Sequence, residues 1–308
     1  MERIDSRMER IPDDEFVVLD EALLPPVNEF KRFLRVFFRR KIVVVGFVLA
    51  LLVLFAAAFA DIIAPFDPYE QDLYNVLTGP SKEHLLGTDA LGRDLLSRII
   101  HGSRIALAVG VCTVLISATI GTLVGLIAGS ANSKINTVIM RITDALISIP
   151  SLILQLLIAS ILRSGVFGVV VAVGLTLFPA YIRLINGQVI SIKQNDYILA
   201  GRSMGAKKTR IIFRHILPNC ISPLIVMMTM MMGVSILAEA GLSFLGLGIA
   251  PPAAAWGGMC RDGYQYLMTR PLLSIAPGAA IMILVFAFNM VGDGIRDALD
   301  PKLRGSLD

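Results

Sequence analysis

Long uncharged apolar stretches recur along this chain, and the polar residues between them set where each begins and ends. Ile42 to Ala60 holds nineteen such residues. As a helix that run is about 28 Å long, against a hydrocarbon core of about 30 Å, so residues 42–60 predict a first transmembrane helix. The same pattern predicts a second span over Ile105–Ser133, a third over Val138–Leu162, a fourth over Val166–Ile182, a fifth over Ile221–Ala238 and a sixth over Ile275–Val291. Pro277 falls in the first turn of the sixth, where its missing N–H does no harm. Ahead of the first span, Phe30, Phe33, Leu34, Phe37 and Phe38 recur at helical spacing while Lys31, Arg32, Arg35, Arg39 and Arg40 fill the remaining arc. Residues 30–41 therefore predict an amphipathic helix lying on the inner leaflet. Residues 1–29 carry no period and predict a disordered tail. The expected fold class is an all-α membrane protein with six transmembrane helices.

The polar interruptions carry further expectations. Residues 61–104 form an external segment in which Asp89, Arg93, Asp94, Arg98 and Arg104 alternate in sign among Gly87, Gly92 and Gly102. Internal ion pairs and a short helix capped near Thr88 or Asp89 are expected there. In the second span Gly121, Gly125 and Gly129 recur every fourth residue, a small-xxx-small spacing that lets another helix approach backbone to backbone. Arg141 and Asp144 lie one turn apart and are expected to pair with each other. Glu239 is expected at the outer end of its span, where a carboxylate avoids the bilayer centre, and Trp256 at headgroup level. Residues 105–292 thus read as a five-helix transmembrane core and 293–308 as a terminal tail.

Composition narrows the class. Hydrophobic residues make up 55% of the chain and charged ones 17%, and the mean hydropathy is +0.73, which excludes an ordinary soluble domain. The net charge of +4 is explained by topology better than by nucleic acid, since the bases flank the spans. With six spans, 21 of the 28 basic residues fall on the side of the two termini, so both termini and the loop between spans four and five are expected in the cytoplasm, with the lipid bilayer as the main surrounding partner. Three scattered cysteines, Cys112, Cys220 and Cys260, make neither a disulfide framework nor a zinc site, and the three histidines show no metal spacing.

Candidate chemistry concentrates in the loop over 190–218, whose segment Asp196–Pro218 carries Arg202, Lys207, Lys208, Arg210, Arg214 and His215 against one acid. Gly201, Gly205, Lys207 and Thr209 are misplaced for a phosphate loop, which needs G-x-x-x-x-G-K-S/T after a strand, so no ATP site is expected in this chain. No arrangement suggests an enzyme. Ile216-Leu217-Pro218 is expected to stop a helix ahead of the fifth span. Within that span a methionine cluster containing Met227, Met230 and Met231 is a candidate translocation path, thioethers being tolerant of shape.

The loop resembles the EAA motif of permease subunits in bacterial ABC importers. Leu199-Ala200-Gly201 stands where Glu-Ala-Ala is expected, Gly205 at the key glycine and Ile216-Leu217-Pro218 at the closing element, with Leu199 replacing the acid and Gly201 an alanine. Gly87-Thr-Asp89, Gly92-Arg93-Asp94, Leu242 to Gly248, Trp256-Gly257 and Gly292 to Pro301 extend the likeness over most of residues 30–305. They look like the C-type permease of the peptide/nickel importer family. The resemblance implies a type I importer permease fold in the bacterial inner membrane and a half-pore paired with a homologous second permease. It also implies two cytoplasmic ATPase subunits holding ATP and Mg, an extracytoplasmic solute-binding protein, and peptides as cargo, with nickel or glutathione as alternatives. The ATPase contact would fall on Asp196, Tyr197, Leu199, Ala200, Gly201, Arg202, Ser203, Gly205, Ala206, Lys207, Ile216, Leu217 and Pro218. The competing class, a gradient-driven secondary transporter, would want ionisable groups near the midplane and internal repeats, which are not evident.

Overall fold

The computed structural model describes residues 29–162 and 165–299. The tail 1–28, Arg163 and the end of the 293–308 tail lie outside the described residues. Among the described residues, every regular element is helical. Five helices are long and apolar enough to cross a bilayer, and a sixth candidate is a broken pair. They are α2 (Lys41–Ala58), α4 (Leu95–Ser130), α7 (Val166–Ile192), the continuous run Lys208–Phe244, and α12 (Leu272–Leu299). The third expected span divides into α5 (Ser133–Ser148) and α6 (Ser151–Leu162), bent by 90° at Ile149-Pro150. Proline disfavours helical backbone in the residue before it, so the break falls where Pro150 puts it.

The core is built around α4 and α7. Gly121, Gly125 and Gly129 all face α7: a Cβ at Gly125 would stand 2.8 Å from Ile185 Cβ, and one at Gly129 2.6 Å from Val189 Cβ. The helices therefore touch through bare backbone on one side, and Tyr181, Ile185 and Val189 are fully buried on the other. Across the α5–α6 break, Gln155 Nε2 donates to Thr176 Oγ1 at 2.8 Å and Asn136 Nδ2 to Asn186 Oδ1 at 2.7 Å, tying both halves to α7.

At one edge α2 lies against α12, with Gly46 under Met290 and Gly294 under Val43 and Phe37. Helix α1 (Glu29–Phe37) turns Phe33 and Phe37 inward: Phe37 is buried and stacks edge-on to Phe47, and Arg40 pairs with Asp297 at 3.0 Å. The amphipathic segment thus packs on protein as well as presenting Leu34 and Phe38 outward. Residues 293–299 continue α12 as helix instead of starting a tail.

The polar segment closes one end of the bundle. Helix α4 begins at Leu95, capped by Asp94, which accepts from Ser97 N at 2.8 Å and Ser97 Oγ at 2.7 Å. The cap is therefore Asp94, five or six residues beyond the expected Thr88 or Asp89. Asp89 instead holds Arg93 at 2.7 Å inside a turn that Gly87 and Gly92 make possible with φ of +83° and +74°. Short α3 (Ala60–Ile63) supplies Asp61, which accepts from both Arg104 terminal nitrogens at 2.9 Å.

Two further expectations are corrected here, and a third gains detail. Trp256 opens α11 (Trp256–Tyr264) as a buried residue, donating from Nε1 to Ile99 O at 2.9 Å against Gly102, which leaves no room for a Cβ. It is a packing residue, not a headgroup anchor. Glu239 is 1% exposed inside α10 (Leu217–Phe244), where its Oε1 accepts from Ser243 Oγ at 2.7 Å. It stands five residues before the end of α10, so the expected place near a span end is not overturned, and what the structure adds is burial with a hydroxyl donor. Asp144 accepts from Arg183 of α7 at 2.8 Å, so the expected pairing with Arg141 is replaced by one between helices.

Candidate functional site

The loop between α7 and α10 is structured throughout. Helix α8 (Asp196–Ser203) begins after Asn195 and ends with Met204, beyond which Gly205 takes φ of +83°. Gly205 N donates to Arg202 O at 2.9 Å and Ala206 N to Gly201 O at 3.0 Å, the paired bonds of a Schellman cap. That geometry is the local reason for a glycine at 205, because a side chain in the left-handed region costs about 1 kcal/mol or more. No atom lies within 4 Å of a Cβ placed on Gly201 or Gly205, so glycine is not needed for space at either position.

One residue pins α8 to the bundle. Ile198 is 1% exposed and packs into a cluster with Leu126, Ile185, Val189, Ile192, Ile211 and Ile216. The opposite face carries Tyr197, Leu199, Ala200, Ser203 and Met204 outward, Met204 at 82% exposure. Burying Ile198 thus turns an apolar face away from the bundle. Tyr197 also sits 6.3 Å from the His215 ring. Asp196 occupies the first turn of α8, where a carboxylate suits the helix dipole.

The closing element behaves differently from expectation. A short α9 (Lys208–Ile211), preceded by Lys207, runs through a π-helical turn at Ile212–Ile216 directly into α10. Leu217 and Pro218 start the long helix and do not stop one, as befits proline in a first turn. Ile216 is 1% exposed and joins the cluster around Ile198, while Leu217 is half-buried against it. Of the residues singled out in this loop, the structure therefore gathers Asp196, Tyr197, Leu199, Ala200, Gly201, Arg202 and Ser203 on α8, with Gly205, Ala206 and Lys207 just beyond it. Ile216, Leu217 and Pro218 lie at its root.

A second concavity, of about 710 Å³, lies where α5 breaks from α6. Pro150, Thr176, Pro179, Arg183 and Met227 line it. Met227 is the one methionine of the candidate path found there. Met230 lies beside Gly292 of α12, and Met231 packs against the cluster around Val109 and Val173. The three do not share a cavity. Sequence reasoning missed Ile198, which sits in the run Tyr197-Ile198-Leu199-Ala200 with nothing to set it apart from its neighbours, and Arg183 as the partner of Asp144. Among the described residues, no group of three or more His, Cys, Asp or Glu is placed to hold a metal ion.

Long apolar helices, a broken pair beside an ion pair, and a structured loop projecting an apolar face define a polytopic helical membrane protein. Comparison with known proteins makes the assignment specific. Residues 121–305 match the family model described as the binding-protein-dependent transport system inner membrane component, and residues 28–80 match the N-terminal TM domain of oligopeptide transport permease C. The chain is 42% identical over 290 residues to the glutathione transport system permease protein GsiD of Pectobacterium atrosepticum, covering 94% of this chain and 95% of that one. It is 41% identical over 293 residues to the di/tripeptide transport system permease protein DppC of Pseudomonas aeruginosa, covering 93% and 96%. Among solved structures, a chain of the MetNI methionine ABC transporter in inward-facing conformations matches with a TM-score of 0.57 at 22% identity. That match covers 67% of this chain and 98% of that one, and it shows the shared fold. The chain belongs to the family of binding-protein-dependent transport system inner membrane components. It is a multi-pass ABC importer permease of the inner membrane with the type I fold.

Proposed function

We propose that this chain forms half of the translocation pore of an ATP-driven peptide importer and couples to its motor through α8. The observation that carries the reading is the loop's construction, in which Ile198 is buried and Tyr197, Leu199 and Met204 are turned outward. A helix held so firmly at its root transmits displacement to α7 and α10, and its exposed apolar face is suited to a cleft on a partner. The partners are a homologous second permease, two cytoplasmic ATPase subunits that bind ATP and Mg, and an extracytoplasmic solute-binding protein. Both termini and α8 lie in the cytoplasm on this reading, and residues 61–94 face the binding protein. The chain itself is non-catalytic, and closure of the ATPases would switch the pore by rigid movement of the loop.

Di- and tripeptides are the cargo favoured by the relative from Pseudomonas aeruginosa, and glutathione, itself a small peptide, by the relative from Pectobacterium atrosepticum. The deciding experiment reconstitutes the complex with its binding protein and measures ligand-stimulated ATP hydrolysis and uptake. Stimulation by di- or tripeptides is expected. Stimulation by glutathione alone, or by a nickel chelate alone, would replace the cargo. Uptake that persists without the ATPase subunits would overturn the mechanism in favour of a gradient-driven carrier.

A further inference from the structure

Three cations from three elements converge beside α8. Lys193 closes α7, Arg202 lies in the last turn of α8, and Lys208 opens α9. Together with Ser130, Ala206, Ile211, Ile212 and Ile216 they line a cavity of about 340 Å³. No carboxylate is among these lining residues, so the charges are not balanced from within the cavity wall. The strain is visible at Lys193, whose pKa is lowered first by desolvation and then by repulsion from Arg202 and Lys208. Lys193 Nζ donates to Gly129 O at 2.9 Å, which fixes the ammonium at the end of α4.

The neighbouring residue supplies an independent observation. Ser130 is 8% exposed, and its Oγ has no hydrogen-bond partner among the described residues. Buried hydroxyls are ordinarily satisfied, and this one is left without a partner at the edge of the cavity that the three cations line. The rest of the wall is apolar. Ile212–Ile216 is the π-helical turn, and such turns are frequent at functional sites.

We propose that this cavity binds a phosphate-bearing anion, whose oxygens accept from Ser130 Oγ, Lys193, Arg202 and Lys208. Phosphate offers several strong acceptors at once, and charge-assisted bonds to it are the strong kind. Two sources share this chemistry: the headgroup of an anionic phospholipid, whose glycerol and chains would meet Ile211, Ile212 and Ile216, or soluble inorganic phosphate. Bound there, the anion would remove the repulsion between Arg202, Lys193 and Lys208 and fasten α8 to the ends of α4 and α7. The inference stands on the cavity alone and survives if α8 couples to nothing.

The test uses the full-length chain with its partner permease in nanodiscs of phosphatidylcholine, with or without phosphatidylglycerol. Thermal unfolding and native mass spectrometry are the readouts. Phosphatidylglycerol should raise the unfolding midpoint and remain as a bound adduct. Inorganic phosphate added to phosphatidylcholine discs, against chloride at equal ionic strength, tests the soluble source. Protection by phosphate without a lipid adduct would assign that source. Ser130→Ala and the double substitution Arg202→Gln with Lys208→Gln should each weaken the protecting ligand about tenfold, the scale of a lost charge-assisted hydrogen bond. Ser130→Ala deletes an unpartnered hydroxyl, so its midpoint in pure phosphatidylcholine should match the unsubstituted chain. The charge-conserving pair Arg202→Lys with Lys208→Arg should retain binding. The proposal is overturned if neither ligand protects the unsubstituted protein, or if both neutral variants bind as well as it does.

Discussion

At the residue scale, Gly205 changes meaning once its backbone is known. A contact glycine would be wanted for its lack of bulk, whereas here the surrounding space is open and the left-handed φ is what demands it. Gly205→Ala should therefore loosen the end of α8 by about 1 kcal/mol, read as faster amide exchange at Gly205 and Ala206, with insertion unaffected. Gly205→Asn, tolerant of that backbone, should exchange more slowly than the alanine variant. Gly205→Glu adds charge on the outward face and should abolish uptake by the reconstituted complex while the chain still inserts. Normal uptake with it would remove α8 from the coupling role.

Asp61 gives a pH-dependent case. Hydrogen bonds from Arg104, then His101, lower its pKa below the ordinary 3.8. A depressed acid stabilises the fold above its unfolded pKa and loses that contribution as pH falls through the folded value. Asp61→Asn should accordingly lower the unfolding midpoint near neutral pH. The difference from the unsubstituted chain should vanish only on acidification below about 3.8, the ordinary carboxyl value.

At the scale of elements, the α4–α7 contact is the tightest dependence of the fold on small residues. Gly125→Val would drive a branched side chain into Ile185 and the Ile182 carbonyl, and overpacking of this kind costs about 1–3 kcal/mol. A lower midpoint is expected in the detergent-solubilised chain, whereas Gly187→Val, where nothing lies within 4 Å of a Cβ, should be neutral.

Much of this level was legible beforehand. The runs of apolar residues marked the five long helices, though not the break at Pro150, and the spacing of Gly121, Gly125 and Gly129 identified a close-packed face, because both depend on neighbours within a few turns. What stayed hidden depended on distant partners or on local backbone choice. Asp144 finds Arg183 from 39 residues away, a choice made by α7 and not by the nearer Arg141. Pro218 looked like a stop because proline both ends and begins helices, and only the π-turn before it shows which. Trp256 was placed by average preference, and tertiary burial overrode that average. The cavity at Ser130, Lys193, Arg202 and Lys208 is assembled from four separate parts of the sequence, and no one of them marks it.

At the scale of the whole molecule, the two ends of the bundle are built from opposite materials. One is a lattice of carboxylates and guanidinium groups around Asp89, Asp94 and Arg98. The other is the loop rooted on Ile198 and Ile216, with its unbalanced cations. Helix α4 runs from the first to the second. It spans 36 residues with no proline, about 54 Å and well beyond a hydrocarbon core of about 30 Å. Spin labels at exposed Leu91 and Ile135, just outside its two ends, should keep a constant separation through ATP turnover. A changing separation would reveal a hinge in α4 or at its junctions with the preceding turn and α5.

An unbroken rod fixed at both ends stores no intermediate position. Asp94 grips Ser97 at its start, and Lys193 holds the Gly129 carbonyl at its finish. On the function proposed above, a tilt begun by the binding protein at the carboxylate end would be carried to the loop end by one continuous helix, so arrival on one face and release on the other would share a single clock.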